Sequence, residues 1–392
     1  MSILFYDDSP VFGGHEVMSL LGVEAVVRAS QGPVRVIASS ANEKLCSKVA
    51  ELAGVHAHLT LETVDYHSSK FEAIRNRLKP ARCKALAERF LEIKPALVVA
   101  IQGNIEHSSL ALLAARRAGI PSTSYIPVPH SNAEMGARLG SLRDRFCAHL
   151  FQVPDSFITI TDEMARLLKI RGATAPIHLV YNGVDTGRFQ PADCLSARNA
   201  LGLPADKVLI GAVGRIEFRQ KQQHLLVRAV AADPVLVRKC HLVFAGDGPD
   251  SEALKTLIAE SQLSGTVLSW SDPAILYPAL DALVIPSRYE GLPLVMLEAI
   301  SCGTAVLGSD RDGMKDLLPD KWRFRPNDPA ALSAALGGFV ASGMPAPDAD
   351  LVAKVRNSMS LESFRKSFAD TVLTLAGAPV SHLQKVQALP NT

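Results

Sequence analysis

The stretch Ala282-Leu-Val-Ile285-Pro286-Ser-Arg-Tyr-Glu290-Gly291-Leu-Pro293-Leu-Val-Met-Leu-Glu298-Ala decides how the chain is read. Four apolar residues make a short strand that a Pro-Ser turn ends. Gly291 relaxes the backbone, and Pro293 suits the first turn of a helix over Leu294–Ser301. The same unit recurs along the chain. Strand-like runs occur at Ile3–Tyr6, Val34–Ala38, Leu97–Ile101, Ser122–Ile126, Ser156–Thr161, Ile177–Val180, Val208–Val213, His241–Ala245, Ala282–Ile285 and Ala305–Gly308. Helical spacing fills Ser108–Ala118, Asp162–Ile170, Lys221–Ala232 and Ser251–Ser261. Strands alternating with helices predict an α/β chain of parallel sheets covered on both faces.

Ten strands are many for one sheet, and the composition changes near residue 185. There Asn182-Gly-Val-Asp185 leads to Pro191 and a polar, turn-rich stretch ending at Pro204. Two doubly wound domains are expected, residues 1–185 and 186–360, with the amphipathic stretch 361–375 free to return to the first. Facing sheets leave a cleft at the carboxyl ends of their strands, where open α/β sheets bind ligands.

Composition narrows the classes. The chain has 392 residues, 48% hydrophobic and 20% charged, with a net charge of +2. That is a globular protein, too near neutral for a nucleic-acid binder. Its six cysteines form no Cys-x-x-Cys pair, which argues against a disulfide framework or zinc site and fits a reducing cytoplasm. The start, Met-Ser-Ile-Leu-Phe-Tyr-Asp-Asp, lacks the basic and longer apolar regions of a signal peptide. No run approaches the roughly 20 apolar residues of a membrane span. A soluble or peripheral cytoplasmic protein is expected.

Two clusters carry the chemistry. Gly211-Ala-Val-Gly214-Arg215 ends a strand, and Lys221 follows six residues after Arg215. Gly214 permits a sharp turn, and the two cations at the cleft edge can neutralise a diphosphate. In the opening stretch, the free amides of Leu292, Leu294 and Val295 at a helix start form an anion site together with the helix dipole. Pro293 offers no donor. Glu290 and Glu298 can accept from vicinal hydroxyls of a ribose or hexose, although Glu298 facing solvent is the plain alternative. A glycosidase needs its carboxyl groups roughly 5–10 Å apart. Eight helical residues span about 12 Å, so the two glutamates do not share one bond. Trp270-Ser-Asp272-Pro follows a strand where a base could sit, and equally reads as core.

These segments together resemble the retaining GT-B glycosyltransferases of family 4, the glycosyl transferases group 1. The resemblance rests on Gly-Arg with its downstream Lys, Glu-Gly-Leu-Pro-Leu-Val and two glutamates seven residues apart, and it continues in Asn182-Gly183-Val184-Asp185 with Phe189, Phe244-Ala-Gly-Asp247-Gly-Pro, Asp312-Gly313-Met-Lys-Asp316 and the Gly13-Gly14 loop. It runs along nearly the whole chain and is dense from about 180 to 316. It implies a metal-free nucleoside diphosphate sugar site, with UDP or GDP favoured and no other cofactor. In it Arg215 and Lys221 hold the diphosphate, Glu298 the ribose and Glu290 the transferred sugar, Gly13, Gly14, Gly214 and Gly291 shape the walls, and His130 lies near the sugar. The chain departs from the pattern at Gln222, where the family has glycine after the lysine, at His15-Glu16 after the glycine loop, and at Asp312 and Asp316, which replace Gly and Glu. His15 could touch acceptor or phosphate, or cap its helix.

Two Asp-x-Asp triplets, Asp310-Arg-Asp312 and Asp348-Ala-Asp350, read as chance rather than metal sites. A basic run, Lys70, Arg75, Arg77, Lys79, Arg82, Lys84, Arg89 and Lys94, extended by Arg138, Arg143 and Arg145, is either a solvated face or a contact with anionic lipid. The expected function is therefore transfer of a hexose, with retention, from a nucleotide sugar to a hydroxyl of a glycan or lipid-linked acceptor, in bacterial cell-surface polysaccharide or glycolipid synthesis at the inner face of the membrane. A nucleotide-sugar epimerase of the same fold and a silent sugar-nucleotide-binding subunit are the alternatives.

Overall fold

The computed structural model describes residues 1–269 and 271–377. The chain forms two parallel sheets. The first holds β1 (Ile3–Asp7), β2 (Val34–Ser39), β3 (Leu59–Val64), β4 (Leu97–Ile101), β5 (Ser122–Tyr125), β6 (Ser156–Thr159) and β7 (Ile177–Leu179) in the order β3-β2-β1-β4-β5-β6-β7. The second holds β8 (Val208–Val213), β9 (Cys240–Ala245), β10 (Gly265–Leu268), β11 (Ala282–Ile285), β12 (Ala305–Ser309) and β13 (Arg323–Phe324) in the order β10-β9-β8-β11-β12-β13. Central strands such as β1, β4, β9 and β11 are buried at every residue, as continuous apolar runs covered by helices on both faces must be.

Strand order reverses between β1 and β4 in the first sheet and between β8 and β11 in the second. The loops leaving these strands open into a crevice, the usual place for a ligand in a doubly wound fold. Three strands went unread in the sequence, β3, β10 and β13, and all three are sheet edges. Edge strands have one partner and are half covered, so they carry polar residues in place of a continuous apolar run.

The chain crosses between the domains twice, and the crossings are strapped together. Val184 N donates to Met359 O at 2.8 Å and Leu361 N donates to Val184 O at 2.9 Å. Gly183 is required by this contact, because a Cβ there would lie 2.6 Å from Ser360 O. The helix Leu361–Leu375 then lies on the helix Gly14–Ala29, where the Phe368 ring occupies the space a side chain at Gly22 would need. Phe368 also meets Tyr125 edge-on, with ring centroids 5.2 Å apart.

Candidate active site

A cleft of about 1260 Å³ separates the domains. Its second-domain wall comes from the loops after β8 and β11. Gly214 takes a left-handed φ of +121°, and Gly246 must lack a side chain because its Cβ would lie 2.1 Å from Gly214 O. Arg215 and Lys221 follow on the cleft wall. The next helix begins at Gln223 rather than Lys221, so Lys221 sits in the turn before it. Gln222 holds φ +54°, a conformation glycine adopts freely.

Lys221 Nζ lies 2.7 Å from Glu290 Oε1, with Lys221 29% and Glu290 9% exposed. The sequence assigns these groups to different parts of a donor; in the fold each is the other's partner. After Glu290 comes the helix Leu294–Ser301, with Pro293 as its N-cap rather than its first residue. The Met296 and Leu297 amides reach back to Pro293 O, at 3.1 and 3.4 Å. Those of Leu294 and Val295 have no partner among the described residues and line the cleft. Leu292 also lines it, and its carbonyl accepts from Asn182 Nδ2 at 2.9 Å. The crossover segment thereby fixes the height of this loop. Glu298 faces the cleft, with Oε2 accepting from Tyr277 OH at 2.6 Å. Burial pushes the Glu298 carboxyl above its usual range against the pull of that hydrogen bond and of Arg188, and burial, aided by Glu298, pushes the Tyr277 phenol well up.

Gly291 has a different task from the one its sequence implied. Its backbone is not left-handed; rather, a Cβ would lie 2.7 Å from Ile160 Cδ1 and 2.8 Å from Pro127 O, both in the first domain. The missing side chain lets the domains approach. Behind it, Gly313 N donates to Gly291 O at 2.9 Å and Glu290 N donates to Asp312 Oδ2 at 2.8 Å.

His130 does not line the cleft. It is buried behind the wall, its Nε2 2.9 Å from Asp312 Oδ1 across the domain boundary. Asp312 holds φ +54°, so the residue replacing glycine keeps glycine's conformation and adds a carboxylate that joins His130 to the Glu290 backbone. The replacement is visible in the sequence; its partner, 182 residues away, is not. The two aspartates of that triplet diverge, Asp310 pairing with Arg323 at 2.7 Å, and no group of three or more His, Cys, Asp or Glu among the described residues is placed to hold a metal.

The first-domain wall comes from loops after β1, β3, β4, β5 and β6. Gly13 and Gly14 line it, and Glu16 rather than His15 caps the following helix, Gly13 N donating to Glu16 Oε2 at 2.7 Å. His15 Nε2 lies 2.8 Å from Glu16 Oε1. Although burial pushes Glu16 up, His15 and the Gly13 amide hold it below its usual range. Beside them Asp7 is pushed to about 7 and Asp8 to about 6, in each case by burial. His107, packed in the same corner, is pushed down to about 4 by burial and by the neighbouring His15. His67, Ser69, His107, Pro127 and Val128 line this wall without having been singled out in the sequence. Trp270 lies outside the described residues.

Two facing doubly wound parallel domains with a ligand cleft at both switch points are the architecture of the GT-B glycosyltransferases. Comparison with known proteins agrees. The family Glycosyltransferase Family 4 matches residues 24–188, and the family Glycosyl transferases group 1 matches residues 207–342. Together these matches run over most of the chain, which belongs to the GT-B glycosyltransferases of family 4. D-inositol 3-phosphate glycosyltransferase of Mycobacterium tuberculosis is 35% identical over 179 residues, 42% of this chain and 36% of that protein. The chain thus spans little more than a third of the length of the curated relatives it matches. Among solved structures, sucrose-phosphate synthase from Thermosynechococcus elongatus superposes with a TM-score of 0.74 at 18% identity, over 96% of this chain and 99% of that one. Anabaena HepE in complex with UDP and glucose gives a TM-score of 0.72 at 18% identity, over 95% and 100%. At that identity the likeness is one of fold.

Proposed function

We propose that the chain transfers a hexose, with retention, from a nucleoside diphosphate sugar to an acceptor hydroxyl. The observation that carries this is the second-domain wall. Arg215, Lys221, Leu294 and Val295 line this wall together with Glu290 and Glu298, and the Leu294 and Val295 amides have no hydrogen-bond partner among the described residues, which supports a diphosphate site there. As the glycosidic bond breaks, negative charge grows on the leaving diphosphate. Preorganised cations and amides stabilise that charge more than the ground state, which lowers the barrier. On donor binding the Lys221 ammonium exchanges part of its hold on Glu290 for the diphosphate, freeing that carboxylate for the sugar. Glu298, oriented by Tyr277, accepts from the ribose. The narrow approach at Gly291 lets the domains close and exclude water from the donor. No resident metal is needed for these steps.

The acceptor is a glycan or a lipid-linked sugar of the kind used in bacterial surface polysaccharide or glycolipid synthesis. Support for a membrane surface comes from Leu78, Leu139 and Leu142, each at least 46% exposed, beside exposed Arg77, Lys79, Arg138 and Arg145. Much of the basic run is otherwise spent internally, Arg89 on Glu62 and Glu92 and Lys84 on Glu88. No helix among the described residues is long and apolar enough to cross a membrane.

The test is a thermal-shift series with UDP, GDP and ADP, followed by donor turnover with the best of them. A ligand that binds the native state alone raises the melting temperature with concentration. A shift for one nucleotide that is lost in Lys221→Ala supports the reading. No shift with any of the three overturns it.

A further inference from the structure

Arg219 stands between Arg215 and Lys221 in sequence, yet it lies outside the cleft wall that they form. Its guanidinium crosses the domain boundary instead. Nη2 donates to Met135 O at 3.1 Å and to Gly136 O at 2.6 Å, and these are its only hydrogen bonds among the described residues. Holding a long, exposed side chain in one pose costs rotamer freedom. What offsets that cost is a charged donor shared between two carbonyls, each such bond being stronger than one between neutral groups.

The two carbonyls belong to a turn that is built to present them. In the segment after His130, the Met135, Gly136 and Ala137 amides donate back to Ser131 O, Ala133 O and Asn132 O, at 3.0, 3.0 and 2.8 Å. That leaves Met135 O and Gly136 O free to face the second domain. Gly136 holds φ +67°, and a Cβ there would lie 3.4 Å from both Arg219 Nε and Arg288 Nη1, so only glycine suits the position. Asp144 fixes the turn from behind, accepting from the Asn132 and Ala133 amides at 2.7 and 3.2 Å, and Glu134 pairs with Arg171.

On the other side of the boundary Arg219 is the tip of a turn. The Lys221 and Gln222 amides both donate to Glu217 O, at 2.8 and 3.3 Å, which closes residues 217–222 into one unit. The near end of this unit is anchored in its own domain, Phe218 N donating to Asp250 Oδ2 at 2.6 Å. The far end carries Lys221. Gln220 O accepts from Arg288 N at 2.7 Å, which ties the turn to the segment bearing Glu290. His130, through Asp312, holds the Glu290 amide. One first-domain segment, residues 130–136, therefore grips both halves of the donor wall, the Glu290 half at its start and the Lys221 half at its end.

We propose that Arg219 is a positioning residue whose bonds to Met135 O and Gly136 O place Lys221 for the diphosphate only while the domains are in contact. The role given to Lys221 rests on the transfer reading above. A donor held by the second domain alone then meets an incomplete site, and closure is the step that assembles the charge-stabilising groups.

The experiment compares the full chain with Arg219→Ala, Arg219→Lys, Lys221→Ala and the Arg219→Ala/Lys221→Ala double variant. Hydrogen–deuterium exchange, on the free chain and with whichever of UDP, GDP or ADP binds, reads the latch without any turnover. Exchange over residues 217–222 is expected to rise about tenfold in Arg219→Ala, as loss of a charge-assisted hydrogen bond implies, with the melting temperature unchanged. Wild-type exchange there overturns the proposal whether or not the chain turns over a donor. Steady-state kinetics then read the role. Turnover should fall about tenfold in Arg219→Ala while the donor Michaelis constant stays within about twofold of wild type. Arg219→Lys should recover part of the loss, since an ammonium can hold one of the two carbonyls. The double variant should be no slower than Lys221→Ala, because Arg219 acts only through Lys221. Losses that multiply in the double variant, or a raised Michaelis constant with unchanged turnover, overturn the positioning role. If the wild-type chain turns over no donor while the exchange result stands, it is the transfer reading that fails and the latch between the domains that remains.

Discussion

The second-domain wall of the cleft draws its polar groups from two short segments, 214–221 and 286–298, whereas the first-domain wall collects them from loops scattered between Ser9 and Ile160. On the proposed function, the difference follows from what each wall would meet. A diphosphate is met by features one strand–loop–helix unit supplies, namely a turn, two cations and a helix N-terminus. An acceptor is met by side chains reaching in from several strand ends, whose spacing in sequence has no fixed pattern. The walls also differ in protonation. The first holds Asp7 and Asp8 pushed up to about 7 and 6, and His107 pushed down to about 4, all by burial.

If the second-domain wall stabilises the leaving group, its largest sensitivity is at Lys221. Lys221→Ala is expected to lower turnover by about 10²-fold or more, equivalent to about 3 kcal/mol of transition-state stabilisation. Steady-state kinetics at saturating acceptor measure it. Wild-type turnover in this variant would remove the contrast between the walls.

A smaller effect is expected where the walls are joined. Asp312→Gly relieves a left-handed residue, so the backbone should tolerate it, yet it cuts the link from His130 to the Glu290 amide. Turnover should fall about tenfold, and because the variant strands the buried His130 imidazole and Glu290 amide the melting temperature should fall with it. His130→Ala should match it, and the double variant should be no worse than either, since both cut one link. Additive losses would show two independent roles.

Glu298→Ala is expected to act on binding, because ribose contacts change little as the glycosidic bond breaks. The Michaelis constant for donor should rise about tenfold with turnover within about twofold of wild type. Tyr277→Phe should shift the same constant in the same direction by less. A fall in turnover alone would move Glu298 from ribose to the reacting sugar.

The legible part of the molecule follows the same division. Ten of the thirteen strands are legible in the sequence, most of them central and apolar, while the unread β3, β10 and β13 are edges. Gly291, Lys221 and the two glutamates were found from local motif. What they touch was not, since Glu290 meets Lys221 over 69 residues and Asp312 meets His130 over 182. Lys70 and Arg75 line the cleft from within a run whose charge pattern reads as a solvated face. Only the fold separates the residues turned into the cleft from those spent on neighbouring glutamates.

The last prediction concerns the corner of the first-domain wall where Asp7 and His107 titrate in opposite senses. Asp7 is raised from 3.8 to about 7, so the native state holds a proton that the unfolded chain has released. Its contribution to stability is complete below about pH 4 and is lost as pH rises through 7. His107 is lowered from 6.5 to about 4, so the unfolded chain takes up a proton that the native state refuses. Its contribution is complete above about pH 6.5 and is lost as pH falls through 4. Between these limits the two slopes oppose and partly cancel, each at most about 1.4 kcal/mol per pH unit. His107→Gln leaves the Asp7 slope, so relative to wild type this variant should gain stability on acidification from pH 6.5 to 4. Asp7→Asn leaves the His107 slope and should lose stability over that range. Titrating groups remote from this corner are common to all three proteins and drop out of the differences. Urea unfolding midpoints at half-unit pH steps read the effect. Parallel curves for both variants and wild type would mean that neither burial-driven shift exists, and the two walls would then differ in position and not in protonation.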